Sequence, residues 1–195
     1  MGRPASAEDI PAVALCLASA FYDDPLWGRW TFPDEDVRPS GLLPLMTLMA
    51  ELGQGGEEST RMTEGAGAVT VWTPPGARYG EPGFDDRIDE AMNALFGPRA
   101  SEIHALWERF AENEPDGRYY HLEWWATRRD RRGEGLGTRL LREDLERVDA
   151  DRLPAYLEST NPANIPRYEA LGFRAMGEFA APAGPTITTM WREAR

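Results

Sequence analysis

The sequence predicts a single α/β domain that spans residues 1–195. A chain of this length holds one domain with a full-sized core and leaves little room for a second. Its composition, 42% hydrophobic and 28% charged, is typical of a globular protein. In the second half, strand and helix patterns follow one another without an internal repeat or a linker, which indicates one continuous α/β unit.

The chain is predicted to open with a short strand, Arg3 to Ala5, and a helix. Ser6 and Asp9 have the spacing of a capping box, and apolar residues at helical spacing continue from there to Phe21. Tyr22 to Phe32 breaks this pattern and is predicted to be a loop dense in aromatic residues. Such a loop either lines a binding site or anchors the core, and the sequence leaves both roles open.

A second helix is predicted from Leu42 to Leu52, interrupted near Pro44 and ended by residues 54–56. Alternating and β-rich residues then predict a hairpin, and two helical patterns follow it. These four elements are Ser59 to Thr63, Ala66 to Thr73, Phe84 to Phe96 and Glu102 to Phe110.

The second half begins with a stretch rich in Tyr, Trp and Thr, which is typical of a strand. A charged, glycine-rich loop and a helix with one apolar face come next. The predicted elements are a strand at Arg118 to Thr127, a loop at Arg128 to Gly137, a helix at Thr138 to Val148, a strand at Ala155 to Leu157, a short helix at Ile165 to Leu171, and two strands at Phe173 to Ala180 and Thr186 to Trp191.

Charge and composition narrow the classes of function. The net charge of −12 disfavours nucleic acid and anionic membrane surfaces as partners, and it attracts a cationic amine. No apolar run reaches the roughly 18 residues of a membrane span, and no basic leader precedes the first helix, so we expect a cytoplasmic protein. We also expect it to be bacterial. The single cysteine, Cys16, lies in an apolar helical pattern and is predicted to be buried, with no disulfide and no metal.

The glycine-rich loop, Arg132 to Gly137, is the first candidate for a ligand site. Between a strand and a helix, its backbone N–H groups and the helix N-terminus suit a pyrophosphate, although a tight turn without a ligand has the same pattern. The chain contains no lysine, which excludes a P-loop and Schiff-base chemistry. The dinucleotide fingerprint fails because Leu140 stands at its third glycine, which also argues against a nucleotide-binding oxidoreductase.

Two motifs in order resemble the GNAT superfamily of N-acetyltransferases. The acetyl-coenzyme A loop of that superfamily reads Arg/Gln-x-x-Gly-x-Gly after a strand, and a second block reads Asn…Tyr-x-x-x-Gly-Phe. The matching residues are Arg132, Gly135 and Gly137 for the first motif, and Asn161, Tyr168, Gly172 and Phe173 for the second. The likeness extends from Tyr119 to Met190 and is greatest to the branch that includes puromycin N-acetyltransferase. One departure is Thr127-Arg128-Arg129, where the superfamily usually has Val-x-Pro.

The resemblance implies a mixed, mostly antiparallel central sheet with splayed strands and flanking helices. It implies that acetyl-coenzyme A is the cosubstrate, with its pantetheine arm in the splay, and that the amine attacks the thioester directly without a metal. The expected cofactor-binding residues are Trp125, Ala126, Thr127, Arg132, Gly133, Glu134, Gly135, Leu136, Gly137, Thr138, Asn161 and Asn164. Four loop arginines are interpreted as an anion clamp or a solvated turn: Arg128, Arg129, Arg131 and Arg132.

Three residues are candidates for proton transfer. His121 and Glu123 lie two apart on a predicted strand, so both side chains are expected on one face. Glu123 would serve as a base for an ammonium only after burial or through a water relay, and the alternatives are a hydrogen-bonded strand histidine and a substrate anchor. Tyr168 matches the tyrosine that protonates the leaving thiolate in the superfamily, unless it merely packs beside Phe173.

We therefore predict an N-acetyltransferase that transfers an acetyl group to the amine of a small molecule. The alternative is a catalytically inactive member of the same fold that binds acyl-coenzyme A or regulates a partner. Retention of Tyr168 with Gly135 and Gly137 favours the enzyme. The identity of the amine stays open, and a monomer and a homodimer are both compatible with the sequence.

Overall fold

The computed structural model describes residues 1–53, 59–77 and 84–195, with the backbone alone at 84–87. Within these ranges the chain forms seven strands and six α-helices. The strands are β1 (Arg3–Pro4), β2 (Thr60–Met62), β3 (Ala68–Thr73), β4 (Tyr120–Thr127), β5 (Ala155–Ser159), β6 (Arg174–Ala180) and β7 (Thr186–Arg192). The helices are α1 (Ile10–Phe21), α2 (Arg38–Leu52), α3 (Phe84–Phe96), α4 (Ala100–Asn113), α5 (Leu136–Ala150) and α6 (Ile165–Glu169).

The strands form one sheet in the order β1-β2-β3-β4-β5-β7-β6. Neighbouring strands are antiparallel except for β4 and β5, which run parallel at the centre of the sheet. The predicted fold class, a mixed and mostly antiparallel sheet flanked by helices, is confirmed. The hairpin of β2 and β3 and the closing pair of β6 and β7 also lie where the sequence predicts them.

The apolar core has one part on each side of the sheet. On one side α1 packs against α2 and β4, with fully buried residues such as Val13, Leu17 and Met46. On the other side α5 packs against β3 and β4 through residues that include Leu141 and Leu145. The sheet is therefore covered on both faces, and the side chains on the two faces of β4 pack in different parts of the core.

The first helix begins as the capping-box pattern predicts. The Asp9 carboxylate accepts hydrogen bonds from the backbone N–H of Ser6 at 2.8 Å and from its hydroxyl at 2.9 Å. Cys16 is fully buried in α1, as predicted, and burial raises the pKa of its thiol to about 12. The thiol therefore keeps its proton at neutral pH and packs as an apolar group.

Helix α2 differs from the prediction, because it begins at Arg38 and continues through Pro44 without interruption. Pro39 lies in its first turn, where a helix needs no N–H donor. Pro44 removes one hydrogen bond, but apolar residues on both sides of it are buried and hold the helix in place: Leu42, Leu45, Met46 and Met49. Residues 54–56, predicted to end this helix, lie outside the described residues.

The aromatic stretch predicted as a loop contains a π-helical segment, Pro25–Trp30. The carboxylate of Asp24 accepts hydrogen bonds from the N–H groups of Leu26 (2.9 Å) and Trp27 (3.0 Å), which caps the segment. Behind it the fully buried guanidinium of Arg38 donates to the carbonyl oxygen of Phe32 at 2.8 Å. These hydrogen bonds hold the stretch in a π-helical conformation, which its turn-forming residues alone do not predict.

Helix α5, which starts at the glycine loop, is fastened to the sheet by a buried carboxylate. Asp144 accepts hydrogen bonds from the Thr70 hydroxyl at 2.5 Å and from the Trp72 indole at 3.1 Å, and it forms an ion pair with Arg61 at 2.8 Å. Burial raises the pKa of Asp144, and these partners oppose the shift. The position of the loop relative to β3 and β4 therefore depends on polar contacts as well as apolar packing.

Candidate active site

The central strands form a fork. β4 and β5 pair only at Tyr120 with Ala155 and at His121 with Tyr156, although β4 continues to Thr127 and β5 to Ser159. Beyond these two pairs the edge of β4 that faces β5 offers backbone groups to an extended ligand. The cavity at the fork is lined by Phe21, Trp27, Leu122, Glu123, Trp124, Trp125, Glu158, Ser159, Thr160, Asn164 and Tyr168.

A β-bulge at Glu123 divides the side chains of β4 between the two faces of the sheet. Consecutive residues of β3 pair with Trp124 and Leu122, so that Glu123 is the extra residue on β4. Trp124 packs in the core on the α1 side, whereas Leu122 and Trp125 pack on the α5 side. The bulge therefore places the carboxylate of Glu123 and the two indoles around one cavity.

An imidazole lies between carboxylates where the fork begins. Nε2 of His121 is 2.7 Å from Oε2 of Glu158, and Nδ1 is 3.2 Å from Oε1 of Glu123 and 3.8 Å from Oε1 of Glu114. The Thr73 hydroxyl donates a hydrogen bond to Oε1 of Glu123 at 2.6 Å. His121 and Glu123 thus meet on one face, as their spacing predicts, and Glu158 of β5 joins them.

Burial and charge act on this cluster together. Burial opposes the charged form of His121, but Glu123 and Glu158 outweigh it and raise the pKa of the imidazole to about 10. Burial raises the pKa of Glu123, and the neighbouring imidazolium and the Thr73 hydroxyl only partly offset that effect. At neutral pH the ring is therefore an imidazolium held by carboxylates, and Glu123 is a stronger base than an exposed glutamate.

Aromatic rings form another wall of the cavity. The ring of Trp124 lies 5.1 Å from that of Trp27 and 5.3 Å edge-on from that of Phe21. Behind this wall Trp27 stacks on Phe110 at 6.0 Å and contacts Trp107 at 5.5 Å. The aromatic stretch therefore has both of the roles that the sequence leaves open, since Trp27 belongs to the core and also lines the cavity.

Asp24 and Thr160 connect the π-helical segment to the end of β5. The Thr160 hydroxyl donates to the second carboxylate oxygen of Asp24 at 2.9 Å, and both side chains are buried. Burial raises the pKa of Asp24, and the hydrogen bonds that it accepts oppose the shift. Sequence reasoning missed Asp24, Glu158 and Thr160, although an Asp before Pro25 is a recognisable helix N-cap signal.

Tyr168 lies on the α5 side of the fork. Its ring is 5.3 Å from that of Trp125 and 6.0 Å from that of Phe173, and it also lines the cavity. Burial, followed by the charge of Asp24, raises the pKa of the phenol, so it holds its proton at neutral pH. Tyr168 thus packs beside Phe173, as the simpler interpretation requires, and also reaches the site.

The glycine loop has the backbone geometry of a ligand cradle. Gly133 and Gly135 adopt positive φ angles of 89° and 73°, a region that favours glycine, and α5 begins immediately afterwards at Leu136. The N–H groups of the first helical turn, up to Thr138, have no partner within the helix and point out of its N-terminus. A Cβ atom at Gly137 would lie 2.3 Å from the Thr127 hydroxyl, so this glycine permits the close approach of α5 and β4.

The loop arginines are engaged with nearby acceptors. Arg128 binds the Asp130 carboxylate (2.6 and 3.0 Å), and Arg131 binds that of Glu134 (2.7 and 2.8 Å). Arg129 forms an ion pair with Asp23, and Arg132 donates to the carbonyl oxygen of Ala20 at 2.9 Å. An incoming phosphate would exchange these partners, so the anion clamp stays a prediction.

Three further residues that are predicted to bind the cofactor, Asn164, Asn161 and Ala126, differ from one another in their contacts. Asn164 lines the cavity, and its Oδ1 accepts a hydrogen bond from Arg167 at 3.2 Å. Asn161 caps the following turn by accepting from the N–H of Ala163 at 3.0 Å. Ala126 is buried in the core on the α1 side, so only its backbone is available to a ligand in the fork.

Neither a metal-ligand cluster nor a membrane-spanning helix occurs in the part of the chain that the structure describes. There, no group of three or more His, Cys, Asp or Glu side chains could hold a metal ion. Across residues 1–53, 59–77 and 84–195, no helix is both long enough and apolar enough to cross a membrane.

Residues 100–173, from α4 to the end of the second motif, match the family model of the Acetyltransferase (GNAT) family. Among solved structures, the chain resembles a "histone acetyltransferase HPA2 and related acetyltransferase" from Corynebacterium glutamicum, with a TM-score of 0.72, 25% identity and coverage of 100% of this chain and 96% of that one.

More distant structures share the fold. One is arylalkylamine N-acetyltransferase 2 of Aedes aegypti, with a TM-score of 0.60, 11% identity and coverage of 100% and 99%. Another is the ribosomal-protein-S18-alanine N-acetyltransferase of Escherichia coli, with a TM-score of 0.52, 16% identity and coverage of 99% and 92%. Over residues 100–173 the chain is similar in sequence to the GNAT acetyltransferase family, and over its whole length its forked sheet and glycine loop have the fold of that superfamily.

Proposed function

We propose that the protein is an N-acetyltransferase that moves an acetyl group from acetyl-coenzyme A to the amine of a small molecule. The observation that carries this proposal is the cavity at the fork, where Glu123 and Tyr168 line the same space. The likeness of residues 157–173 to the puromycin N-acetyltransferase branch supports a small acceptor. We also propose that residues 1–195 act as one cytoplasmic domain.

Acetyl-coenzyme A fits the loop and the fork by its chemistry. The N–H groups from Gly133 to Thr138 would receive the pyrophosphate, because a helix N-terminus favours negative charge. The free edge of β4 from Trp125 to Thr127 would pair with the amide groups of the pantetheine arm. Bound there, the cosubstrate supplies a thioester carbonyl within reach of the cavity, and Asn164 lines the same space.

Glu123 is the base in this proposal. Its raised pKa brings it closer to that of an ammonium, and Thr73 and His121 hold its orientation. His121 is charged at neutral pH, so it positions Glu123 rather than accepting a proton. Glu123 takes a proton from the ammonium, which frees the lone pair of the nitrogen for attack on the carbonyl carbon. As the new bond forms, the nitrogen loses a second proton to solvent, and Glu123 later releases its own proton there.

Tyr168 is the acid in this proposal. As the bond between carbon and sulfur breaks, its hydroxyl gives a proton to the thiolate, and solvent returns that proton to the phenol. The phenol is protonated at neutral pH and lies on the side of the fork next to the glycine loop. Attack within one ternary complex needs no covalent enzyme intermediate and gains from the alignment of both reactants.

The direct test is the release of free thiol from acetyl-coenzyme A in the presence of a panel of small amines. An active enzyme releases thiol with at least one amine and forms the acetylated product, which mass spectrometry detects. Binding of acetyl-coenzyme A by calorimetry without release for any amine would instead favour the inactive binding or regulatory module.

A further inference from the structure

The charges around the fork cavity do not balance. Two of its lining side chains, Glu123 and Glu158, are carboxylates, and among the lining residues that the structure describes none is an arginine or a lysine. A cation beside the cavity, His121, already has Nε2 at 2.7 Å from Glu158 and Nδ1 at 3.2 Å from Glu123. One positive charge therefore faces two negative ones, and Glu114 adds a third carboxylate 3.8 Å from the ring.

Aromatic rings make up another part of the cavity wall. The rings of Phe21, Trp27 and Trp124 line it, and the faces of aromatic rings attract cations and repel negative charge. The N-terminus of the π-helical segment would be a natural anion site, but Asp24 already occupies its N–H groups. The Thr160 hydroxyl also donates to Asp24.

We propose that the acceptor is an organic amine with no carboxylate close to its nitrogen, and that Glu158 enforces this choice. The proposal rests on the acetyl transfer proposed above and names the substrate class of the same site. An ammonium entering the cavity is attracted by Glu123 and Glu158. An α-amino acid would bring its carboxylate within a few bonds of the same nitrogen, where like charges repel strongly in a poorly solvated space.

Matched pairs of acceptors that differ by one carboxylate test this directly. Tryptamine is compared with tryptophan, and agmatine with arginine. Binding is measured by calorimetry in the presence of coenzyme A, and turnover is measured by thiol release from acetyl-coenzyme A. Each amine is expected to bind on the order of a hundredfold more tightly than its amino acid, because binding the latter juxtaposes like charges.

Variants assign the discrimination to Glu158. In Glu158→Gln the side chain keeps its shape and loses its charge, so the preference for the amine should shrink about tenfold. Glu114→Gln is the matched control, because the same substitution is made beside the same imidazole, at a side chain that is 48% exposed rather than 8%. The control should retain the wild-type preference.

The outcomes separate the two proposals. The inference is overturned if either amino acid binds within about threefold of its amine in the wild type, if Glu158→Gln keeps the full preference, or if none of the four compounds binds. A clear binding preference without thiol release would contradict the proposed acetyl transfer and leave the specificity inference standing. Thiol release without a binding preference would support the proposed acetyl transfer and overturn the specificity inference.

Discussion

The glycine loop and the acidic, aromatic cavity at the fork are built in opposite ways. The loop and the arginines before it form one continuous segment, 128–138, in which arginines pair with nearby acids and the shape depends on glycines at positive φ. The cavity gathers buried side chains from α1, the π-helical segment, β4, β5 and α6. Cofactor binding should therefore depend on local backbone conformation, and acceptor chemistry on packing between distant segments.

The largest expected effect comes from the loop. Gly135→Val places a β-branched side chain at a φ of 73°, which costs roughly 1–2 kcal/mol and turns the N–H groups away from one another. We expect acetyl-coenzyme A binding, measured by calorimetry, to be abolished while the fold is retained. Gly97→Val is the control, since Gly97 also has a positive φ of 49° with no neighbour nearby and lies between α3 and α4. Unchanged affinity in Gly135→Val would remove the loop from the site.

The second largest effect is expected at Tyr168, on the α5 side of the fork. Tyr168→Phe removes the proposed donor, and positioned proton transfer is worth on the order of a hundredfold or more, so kcat should fall by at least that factor. Cofactor affinity should stay nearly the same. Tyr120→Phe, whose hydroxyl donates to Asp151 at the start of β4, serves as the control and should keep its turnover. Full turnover of Tyr168→Phe with saturating amine would mean that the thiolate leaves without this residue.

A smaller effect is expected for the base, because Glu158 lies in the same cavity and can partly replace it. Glu123→Gln should lower kcat/KM roughly tenfold at neutral pH. In the wild type kcat/KM should fall as the pH drops through the raised pKa of Glu123, above the usual value of about 4.3.

The pH–rate profile checks this assignment. The limb set by Glu123 should be lost in Glu123→Gln, in which Glu158 acts as the base, and it should move to higher pH in His121→Ala, since the imidazolium lowers the pKa of Glu123. An acidic limb that stays at the same pH in both variants would show that neither Glu123 nor His121 is the general base.

The smallest effect concerns the contact between the π-helical segment and β5. Thr160→Val removes the hydroxyl that donates to Asp24, and the loss of one buried hydrogen bond costs about 1 kcal/mol, or roughly 2–4 °C in Tm. The KM for the amine should rise while that for acetyl-coenzyme A stays constant. Thr47→Val, whose hydroxyl bonds the Leu43 carbonyl within α2, is the control. An unchanged Tm and an unchanged amine KM in Thr160→Val would show that this contact does not shape the cavity.

Most of the fold could be predicted because its helices and strands have clear periodicity. The capping box of α1, the alternation of β2 and β3, and the apolar face of α5 each reflect interactions between near neighbours in the sequence. The predictions from sequence were wrong where residues far apart in the sequence decide the local conformation. Pro44 suggests a break, but the buried residues around it hold α2 continuous, and the π-helical segment depends on the cap from Asp24.

The sequence by itself determined the order of elements, the glycine loop and the resemblance to the superfamily, because these depend on short motifs and local backbone preference. It also placed His121, Glu123 and Tyr168 on the correct elements. Only the tertiary structure decided that Glu158 joins the imidazole and that a bulge at Glu123 puts Leu122 and Trp124 on opposite faces of the sheet. Both results depend on the register of β4 against β3 and β5, and register arises from contacts between strands rather than from the composition of any one of them.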